Sequence, residues 1–180
     1  KAGSDGVLYL PHLNGERSPF TDPTARGALV NLSPATTTGT MCRAVLEGVA
    51  YNYRTLSNSL GMDTTGVIDE PLPMVGGGAR SKLWTSTIAD VLRRPIAPKS
   101  DAGSVAARGC AAGAFQYLRL WEGADGDLPP DGYFPGGQVG SVDGLVTPND
   151  ANASVHDGNY AVWSKLHEAL KGAGAGELVR

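Results

Sequence analysis

Apolar residues recur every three or four positions between Met41 and Leu60, which is the spacing of one buried face on an α-helix. The predicted buried stripe consists of Met41, Val45, Gly48, Val49, Tyr53, Leu56 and Leu60. Gly61 follows this stripe, and glycine at that place is a common C-terminal stop because it adopts a left-handed conformation at little cost. The pattern therefore predicts a long amphipathic helix that ends near Gly61.

Further helices are predicted downstream. One begins at Ser81, whose side chain is suited to cap the first turn, and ends before Pro95. Another closes the chain and carries its apolar face on Tyr160, Trp163, Leu166 and Leu170. The segment from Gly103 to Trp121 is also helical in pattern, and its many Ala and Gly residues would allow its backbone to pack close to a neighbour.

Short apolar runs predict strands at residues 6–13, 28–32 and 72–75. Between the first two, residues 14–27 are rich in turn formers and predict a long surface loop. Prolines in the third run remove ladder donors, so we expect an edge or irregular strand there. Three glycines follow that run, and the predicted order is strand, glycine turn, helix.

Composition favours a single folded domain with many loops. The chain has 180 residues, with 25 Gly and 12 Pro, 41% hydrophobic and 18% charged residues, and a formal net charge of -3. No apolar run is long enough for a membrane helix, and no basic stripe is present, so membranes and nucleic acids are not expected as partners. Lys1 opens the chain without Met or a signal-like segment, so we expect either a cleaved start or a fragment of a longer protein.

The cysteines, the histidines and the serine motifs indicate which kinds of reactive site are not expected. Cys42 and Cys110 lie far apart in apolar, helix-like stretches, and we expect both to be buried in a protein of the reducing cytoplasm. The histidines His12, His156 and His167 show no metal-ligand spacing, which disfavours a metal site built from the chain's own side chains. The sequence also lacks the nucleophile elbow of covalent hydrolases.

The segment GGGARS, from Gly76 to Ser81, is the best candidate for a ligand site made by main chain. Glycines permit positive φ and close approach of a ligand, and the helix that follows presents unpaired N–H groups. Close approach to main chain and unpaired N–H donors are what binding of a nucleotide phosphate or ribose requires. The alternative is a tight strand-to-helix turn without a ligand, and the spacing alone leaves both open because the segment matches neither common nucleotide fingerprint.

Three other charged residues are weaker candidates. Glu16 and Arg17 sit in a loop and either line a cleft or form structural pairs, and the structural interpretation is favoured. Glu47 lies on the first long helix and is either a partly buried carboxylate at a cleft or an exposed charge paired with Arg43 four residues earlier. The pattern favours the exposed pair.

Four segments together resemble the C-terminal half of the FGGY family of carbohydrate kinases, most closely those of the xylulokinase type. They read LYLPHLNGERSPFTDPTARG (8–27), GALVNLSPATTTGTMCRAVLEGVAYNYR (27–54), MVGGGARSKLWTSTIADVLRRPI (74–96) and SVAARGCAAGAF (104–115). They occur in the family's order and span most of residues 8–121. Two positions depart from its second signature: Asn31 stands where Gly is usual, and Thr40 where His, Asp, Glu, Asn or Gln is usual.

The resemblance implies an α/β, actin-like and ribonuclease-H-like ATPase fold, of which residues 1–180 would be part of the C-terminal domain. It implies MgATP as the phosphoryl donor, and a separate N-terminal domain that supplies an aspartate base. It also implies nucleotide contact through the glycine segment and the start of the next helix. The residues concerned are Gly76, Gly77, Gly78, Ala79, Ser81 and Lys82. The small-residue helix at 109–112 would be a wall beside adenosine.

The leading hypothesis is the nucleotide-binding domain of a cytoplasmic kinase that phosphorylates a ketopentose, with D-xylulose as the expected sugar. Two alternatives stay open: a related kinase for ribulose, gluconate or glycerol, and a binding domain without catalysis. Because a separated domain exposes surface that its partner should cover, we also expect apolar patches and homodimerisation.

Overall fold

A computed structural model of the protein describes residues 1–62, 70–99, 105–117 and 144–173. The predicted ends of the 103–121 helix, most of the Gly- and Pro-rich stretch before Asp150 and the chain's last residues lie outside this range. Within it lie four α-helices and four short strands. They are β1 (Leu8–Leu10), β2 (Ala28–Val30), α1 (Thr38–Ser59), β3 (Leu72–Met74), α2 (Lys82–Leu92), β4 (Ile96–Pro98), α3 (Val105–Tyr117) and α4 (Ala153–Gly172).

The described strands form two small sheets. Strands β1 and β2 pair antiparallel, with Leu8 opposite Val30. Strands β3 and β4 pair parallel, with Leu72 opposite Ile96, and α2 is the crossover between them. The three predicted strands are therefore confirmed in shortened form. Strand β4 was not predicted, because three residues that end in a proline carry no alternating pattern.

The hydrophobic core lies where α1, α2 and α4 pack together beside β1 and β4. Its buried members come from every one of these elements. They are Leu8, Leu10, Ala50, Tyr51, Ile88, Ala89, Val91, Leu92, Ile96 and Trp163. The predicted apolar face of the last helix is confirmed, since Trp163 is buried and Tyr160, Leu166 and Leu170 pack against the cluster.

Helix α1 buries a different face from the one predicted. Val45, Tyr53 and Leu60 of the predicted stripe are 37%, 44% and 71% exposed. Gly48 is the one member of the predicted stripe that is buried, and it shares the buried face with Ala44, Glu47, Ala50, Tyr51 and Arg54.

The main chain of β1 is the reason for this orientation. A Cβ placed on Gly48 would lie 2.1 Å from the carbonyl oxygen of Tyr9, so only glycine allows the helix and the strand to approach this closely. The same carbonyl accepts a hydrogen bond of 2.7 Å from the Trp163 indole N–H. Close backbone approach therefore selects which side of α1 faces the interior.

The predicted C-terminal end of α1 is confirmed. The helix stops at Ser59, and Gly61 has a φ of 74°. The N–H of Met62 donates to the Ser57 carbonyl at 2.9 Å, and that of Gly61 to Asn58 at 3.0 Å. These two bonds satisfy the last carbonyls of the helix in the way a terminal glycine permits.

The two departures from the family signature have local explanations. Asn31 has a φ of 63°, a left-handed conformation that asparagine tolerates better than most residues, and its side chain donates to the Gly6 carbonyl at 3.0 Å. Thr40 lies in the first turn of α1. Its N–H donates to the N-cap Thr37 hydroxyl at 3.1 Å, and the two hydroxyls lie 3.0 Å apart.

The prediction that both cysteines are buried is wrong. Cys42 and Cys110 are both exposed and carry free thiols. Cys42 lies two positions before Ala44, and residues two apart on a helix point in different directions, so the buried face of α1 excludes it. On α3, a Cβ added at Gly109 or Gly113 would meet no described atom within 4 Å, so no described residue packs closely against either glycine.

Helix α4 is held against α1 and α2 by polar contacts as well as by its aromatic face. Asp157 bridges Arg54 of α1 and Arg93 at the end of α2. His156 is fully buried, with its Nδ1 atom 3.0 Å from the Tyr51 hydroxyl. None of the described helices has the length and apolar character that crossing a bilayer requires.

Replacing Gly48 by alanine should destabilise the protein by about 1–3 kcal/mol or more, the usual cost of overpacking a tight contact. Gly158→Ala, in the interior of α4, is the matched control, because its Cβ would meet no described atom within 4 Å. That substitution should be neutral or stabilising, since alanine favours a helix over glycine. Urea denaturation of both variants measures the difference, and equal stabilities would contradict the proposed contact.

The stability of the fold should fall in mild acid. Burial lowers the pKa of His156, outweighing the opposite effect of nearby Glu47 and Asp90, and burial also lowers the pKa of His12. As the pH drops below about 6.5, the unfolded chain takes up protons at these histidines at a higher pH than the folded protein does, so the free energy of unfolding decreases. Urea midpoints between about pH 7 and pH 5 should change less in His156→Gln than in the wild type; identical slopes would contradict this account.

Candidate functional site

The predicted glycine turn follows the carboxyl end of a parallel strand. Met74 ends β3 and lies opposite Pro98, the last residue of β4, and the N–H of Lys99 donates to the Met74 carbonyl at 3.0 Å. The turn at Gly76 and the side chain of Lys99 therefore leave the sheet at the same edge. In open α/β sheets, ligands bind at this edge.

The turn itself is a single 3-10 turn over Gly77–Arg80. Gly76 precedes it with a φ of 87°, a conformation that side chains disfavour. The N–H of Ala79 donates to the Gly76 carbonyl at 3.1 Å, and that of Ser81 to Gly78 at 3.1 Å. The Ser81 hydroxyl accepts the Trp84 N–H at 3.3 Å, which confirms Ser81 as the cap of α2.

The three glycines differ in why they lack a side chain. Gly76 needs its positive φ. At Gly78 a Cβ would lie 2.8 Å and 2.9 Å from Cδ1 and Nε1 of Trp84, so internal packing excludes it. At Gly77 neither reason holds, because its φ is not positive and an added Cβ would meet no described atom within 4 Å. Gly77 therefore presents bare main chain to open space.

An open cleft of about 980 Å³ begins at the turn and runs along α2. Of the six residues predicted to contact nucleotide, Ala79 and Lys82 line it; the three glycines lie just before it and Ser81 caps the helix. Arg80 and Lys99 add two further cations, and the described lining contains no carboxylate. The described lining of the cleft therefore suits an anionic ligand.

The sequence interpretation missed part of this cleft. Arg80 stood within the GGGARS segment without an assigned role, and its basic side chain was the available signal. Lys99 carried no signal, because it follows the unpredicted strand β4. Residues 144–147 line the opposite side, where Val146 and Ile96 exchange hydrogen bonds of 2.9 Å, a pairing across 50 residues of sequence that no local pattern indicates.

Glu47 is buried, so the favoured prediction of an exposed helix charge is wrong, although its pairing with Arg43 is confirmed. The carboxylate is 1% exposed and accepts hydrogen bonds from the Gly3 N–H at 2.8 Å, the Ser4 hydroxyl at 2.7 Å and the Arg43 Nε at 2.8 Å. It is buried because it shares the inner face of α1 with Gly48. Three donors offset the cost of removing this charge from water.

The segment held by Glu47 has an unusual backbone. Ser4 and Asp5 have a φ of 48° each, between Gly3 and Gly6 at 83°. Left-handed conformations at non-glycine residues are costly and persist only when the surroundings enforce them. Glu47 therefore supports the fold at the entry to β1, and it lies away from the described lining of the cleft.

Glu16 organises its own loop, as the structural interpretation predicted. Its carboxylate accepts hydrogen bonds from the Arg17 N–H at 2.9 Å and the Asn52 amide at 3.2 Å, and its Oε2 lies 3.0 Å from His12 Nδ1. Partial burial acts to raise the pKa of Glu16, but the hydrogen bonds outweigh it, so the pKa lies below its usual value. Arg17 is exposed and lines no part of the cleft.

The loop over residues 14–27 is less superficial than predicted. Asp22 is 5% exposed, and its Oδ1 accepts the Thr24 hydroxyl at 2.6 Å. Its Oδ2 lies 3.2 Å from the Lys171 ammonium of α4. The Thr24 bonds first, and then Lys171, hold the pKa of Asp22 well below its usual range. An irregular segment can thus be anchored by buried polar contacts that its composition does not reveal.

A family profile matches the part of the chain that contains the turn. The sequence profile described as "FGGY family of carbohydrate kinases, C-terminal domain" matches residues 1–115. The chain belongs to the FGGY family of carbohydrate kinases. Both the glycine turn and the N-terminal strands lie inside the matched range.

Individual FGGY relatives differ in their named sugars. A xylulose kinase of Staphylococcus epidermidis is 28% identical over 179 residues, which is 95% of this chain and 32% of that protein. A gluconokinase of Bacillus subtilis is 33% identical over 118 residues, covering 64% of this chain and 22% of that protein. The chain thus spans at most about a third of the length of these curated relatives.

A solved structure supports the fold assignment. The xylulose kinase from Rhodospirillum rubrum superposes with a TM-score of 0.68 at 31% identity, over 95% of this chain and 32% of that one. The described elements are therefore part of an α/β domain with the actin-like, ribonuclease-H-like ATPase fold, as the sequence resemblance implied. Among the described residues, no group of three or more His, Cys, Asp or Glu is placed to hold a metal ion.

Proposed function

We propose that this chain is the C-terminal, nucleotide-binding domain of an ATP-dependent sugar kinase. The observation that carries the proposal is Gly77: its bare main chain follows the carboxyl edge of parallel strands, and no described residue packs where its side chain would lie. A nucleotide against this turn would explain it. The family membership supports the same assignment.

The chain's contribution would be to bind and orient the donor. Main chain at Gly76 to Ala79 would lie against the nucleotide, while Arg80, Lys82 and Lys99 attract its phosphates. Mg²⁺ supplies charge neutralisation in phosphoryl transfer, but the described residues offer no cluster to hold it.

The proton-transfer step would belong to another part of the enzyme. In the family that this sequence resembles, an aspartate of an N-terminal domain accepts the proton of the sugar hydroxyl, and the sugar and nucleotide meet between the two domains. We propose the same division here, with residues 1–180 on the nucleotide side. Positioning supplies most of the catalysis in such reactions, so this chain alone should not turn over.

The proposed sugar is a ketopentose, D-xylulose, which would yield D-xylulose 5-phosphate. The alignment of a named xylulose kinase with 95% of the chain supports it. Gluconate is a specific alternative, because a named gluconokinase is among the relatives. Ribulose and glycerol are further alternatives that the same assay tests.

Nucleotide binding is tested best at Gly77. Titrating the 180-residue chain with ADP, followed by amide NMR, should show saturable shifts at the glycine turn. Gly77→Ala should weaken the affinity about tenfold, because a methyl group forced into a close contact costs about 1–3 kcal/mol. Gly158→Ala is the control for a harmless glycine replacement and should bind as the wild type does.

Gly77→Ala is preferable to a bulky change at Gly78, since any side chain there also collides with Trp84. Unchanged ADP affinity in folded Gly77→Ala would contradict the turn as the nucleotide site.

Substrate choice requires a protein that joins this chain to an N-terminal sugar domain. A coupled assay of ADP release should give the highest kcat/KM with D-xylulose, compared with D-ribulose, gluconate and glycerol. A higher value with gluconate or glycerol would replace the proposed sugar. No phosphorylation of any of the four would favour a binding domain without catalysis.

A further inference from the structure

We infer that Trp84 is a positioning residue of the nucleotide turn, which acts through Gly78 to set where Gly76 and Gly77 meet the ligand. The inference rests on the proposed function, because the positioned main chain is the part proposed to contact ADP.

The contact between the indole and the turn is close and specific. If Gly78 carried a Cβ, that atom would lie 2.8 Å from Cδ1 and 2.9 Å from Nε1 of Trp84, so the pyrrole edge of the ring faces the Gly78 main chain directly. The Met74 methyl lies 3.4 Å from the same point. At Gly76 and Gly77, by contrast, no described atom comes within 4 Å of an added Cβ. The support is therefore concentrated at one end of the turn.

Trp84 is itself held in place by three elements. It lies in the first turn of α2, and its N–H donates to Ser81, the residue that ends the glycine turn. Its ring centroid is 6.3 Å from that of Tyr53 on α1. The side chain is half-buried. The indole thus lies between the turn and a helix that packs in the core, and it transmits the position of that helix to Gly78.

This support matters because of the three consecutive glycines. Glycine has more backbone freedom than any other residue, so an unsupported turn of this composition would lose more entropy when a ligand orders it. A side chain that restrains the turn beforehand reduces this cost and raises affinity without touching the ligand. The same contact explains why Gly78 must lack a side chain even though Gly78 need not touch the nucleotide.

The test compares ADP affinity in four proteins, using amide and indole NMR of the 180-residue chain at a temperature where each is folded. Trp84→Ala should weaken ADP binding about tenfold, whereas Trp84→Phe, which keeps a ring against Gly78, should remain within about threefold of the wild type. Trp163→Phe is the matched control. It removes a buried indole and its bond to Tyr9, so it should lower thermal stability and leave ADP affinity unchanged.

A second readout does not depend on any variant that fails to fold. In the wild type, the Trp84 indole N–H resonance should shift on ADP addition, because Nε1 faces the turn that meets the ligand, while the Trp163 indole resonance should stay in place. Trp84→Phe identifies the first signal by its loss. A Trp84 signal that ADP leaves unmoved would overturn the inference, as would wild-type affinity in folded Trp84→Ala.

Failure of the inference differs from failure of the proposed function. If Gly77→Ala weakens ADP binding and Trp84→Ala does not, the turn binds nucleotide but Trp84 does not position it. If neither the wild type nor any variant binds ADP with shifts at the turn, the nucleotide site itself is rejected, and the positioning role with it.

Discussion

The approach of helix α1 to the first strand is the contact on which the rest of the fold depends. At Gly48 the helix comes so close to the Tyr9 carbonyl that no Cβ could be placed between them. The same carbonyl accepts the Trp163 indole N–H, so β1, α1 and α4 meet at one peptide group. Because this contact fixes the rotation of α1 about its axis, it also decides that Glu47 is buried and that Val45 is exposed.

The orientation of α1 extends to the candidate site. Tyr53 lies on the other side of the helix, where its ring contacts Trp84, and the indole in turn faces Gly78. The parallel pairing of β3 with β4 then places Lys99 beside the same turn. A short segment of three glycines is thus held by a helix and a strand that are distant from it in sequence. Such support is needed because glycine lets the backbone come close to another group but leaves that backbone more flexible.

Buried and partly buried charges supplement the apolar core. Glu47 holds the left-handed residues before β1, and Asp157 connects the ends of α1 and α2 to α4. Asp90 accepts hydrogen bonds from the Asn149 N–H and the Asn152 amide just before α4 begins. Buried polar pairs of this kind add little net stability, but breaking one leaves an uncompensated charge, so they favour one arrangement of the helices over others.

Local pattern was sufficient for the four described α-helices, three of the four described strands, the cap at Ser81, the stop at Gly61 and the glycine turn, because each depends on residues within one or two helical turns. The joint match of four segments was sufficient for the family.

Pattern failed for the face of α1, the burial of Glu47, the exposure of both cysteines and the existence of β4. Each of these depends on which main chain or side chain arrives from elsewhere: hydrophobic periodicity records apolar side chains, whereas a missing Cβ at Gly48 and three donors around a carboxylate are properties of the assembled neighbourhood. The same holds for the turn, where the sequence shows three equivalent glycines. Only the tertiary structure distinguishes Gly76, which has a positive φ, from Gly78, which packs against Trp84, and from Gly77, to which neither reason applies.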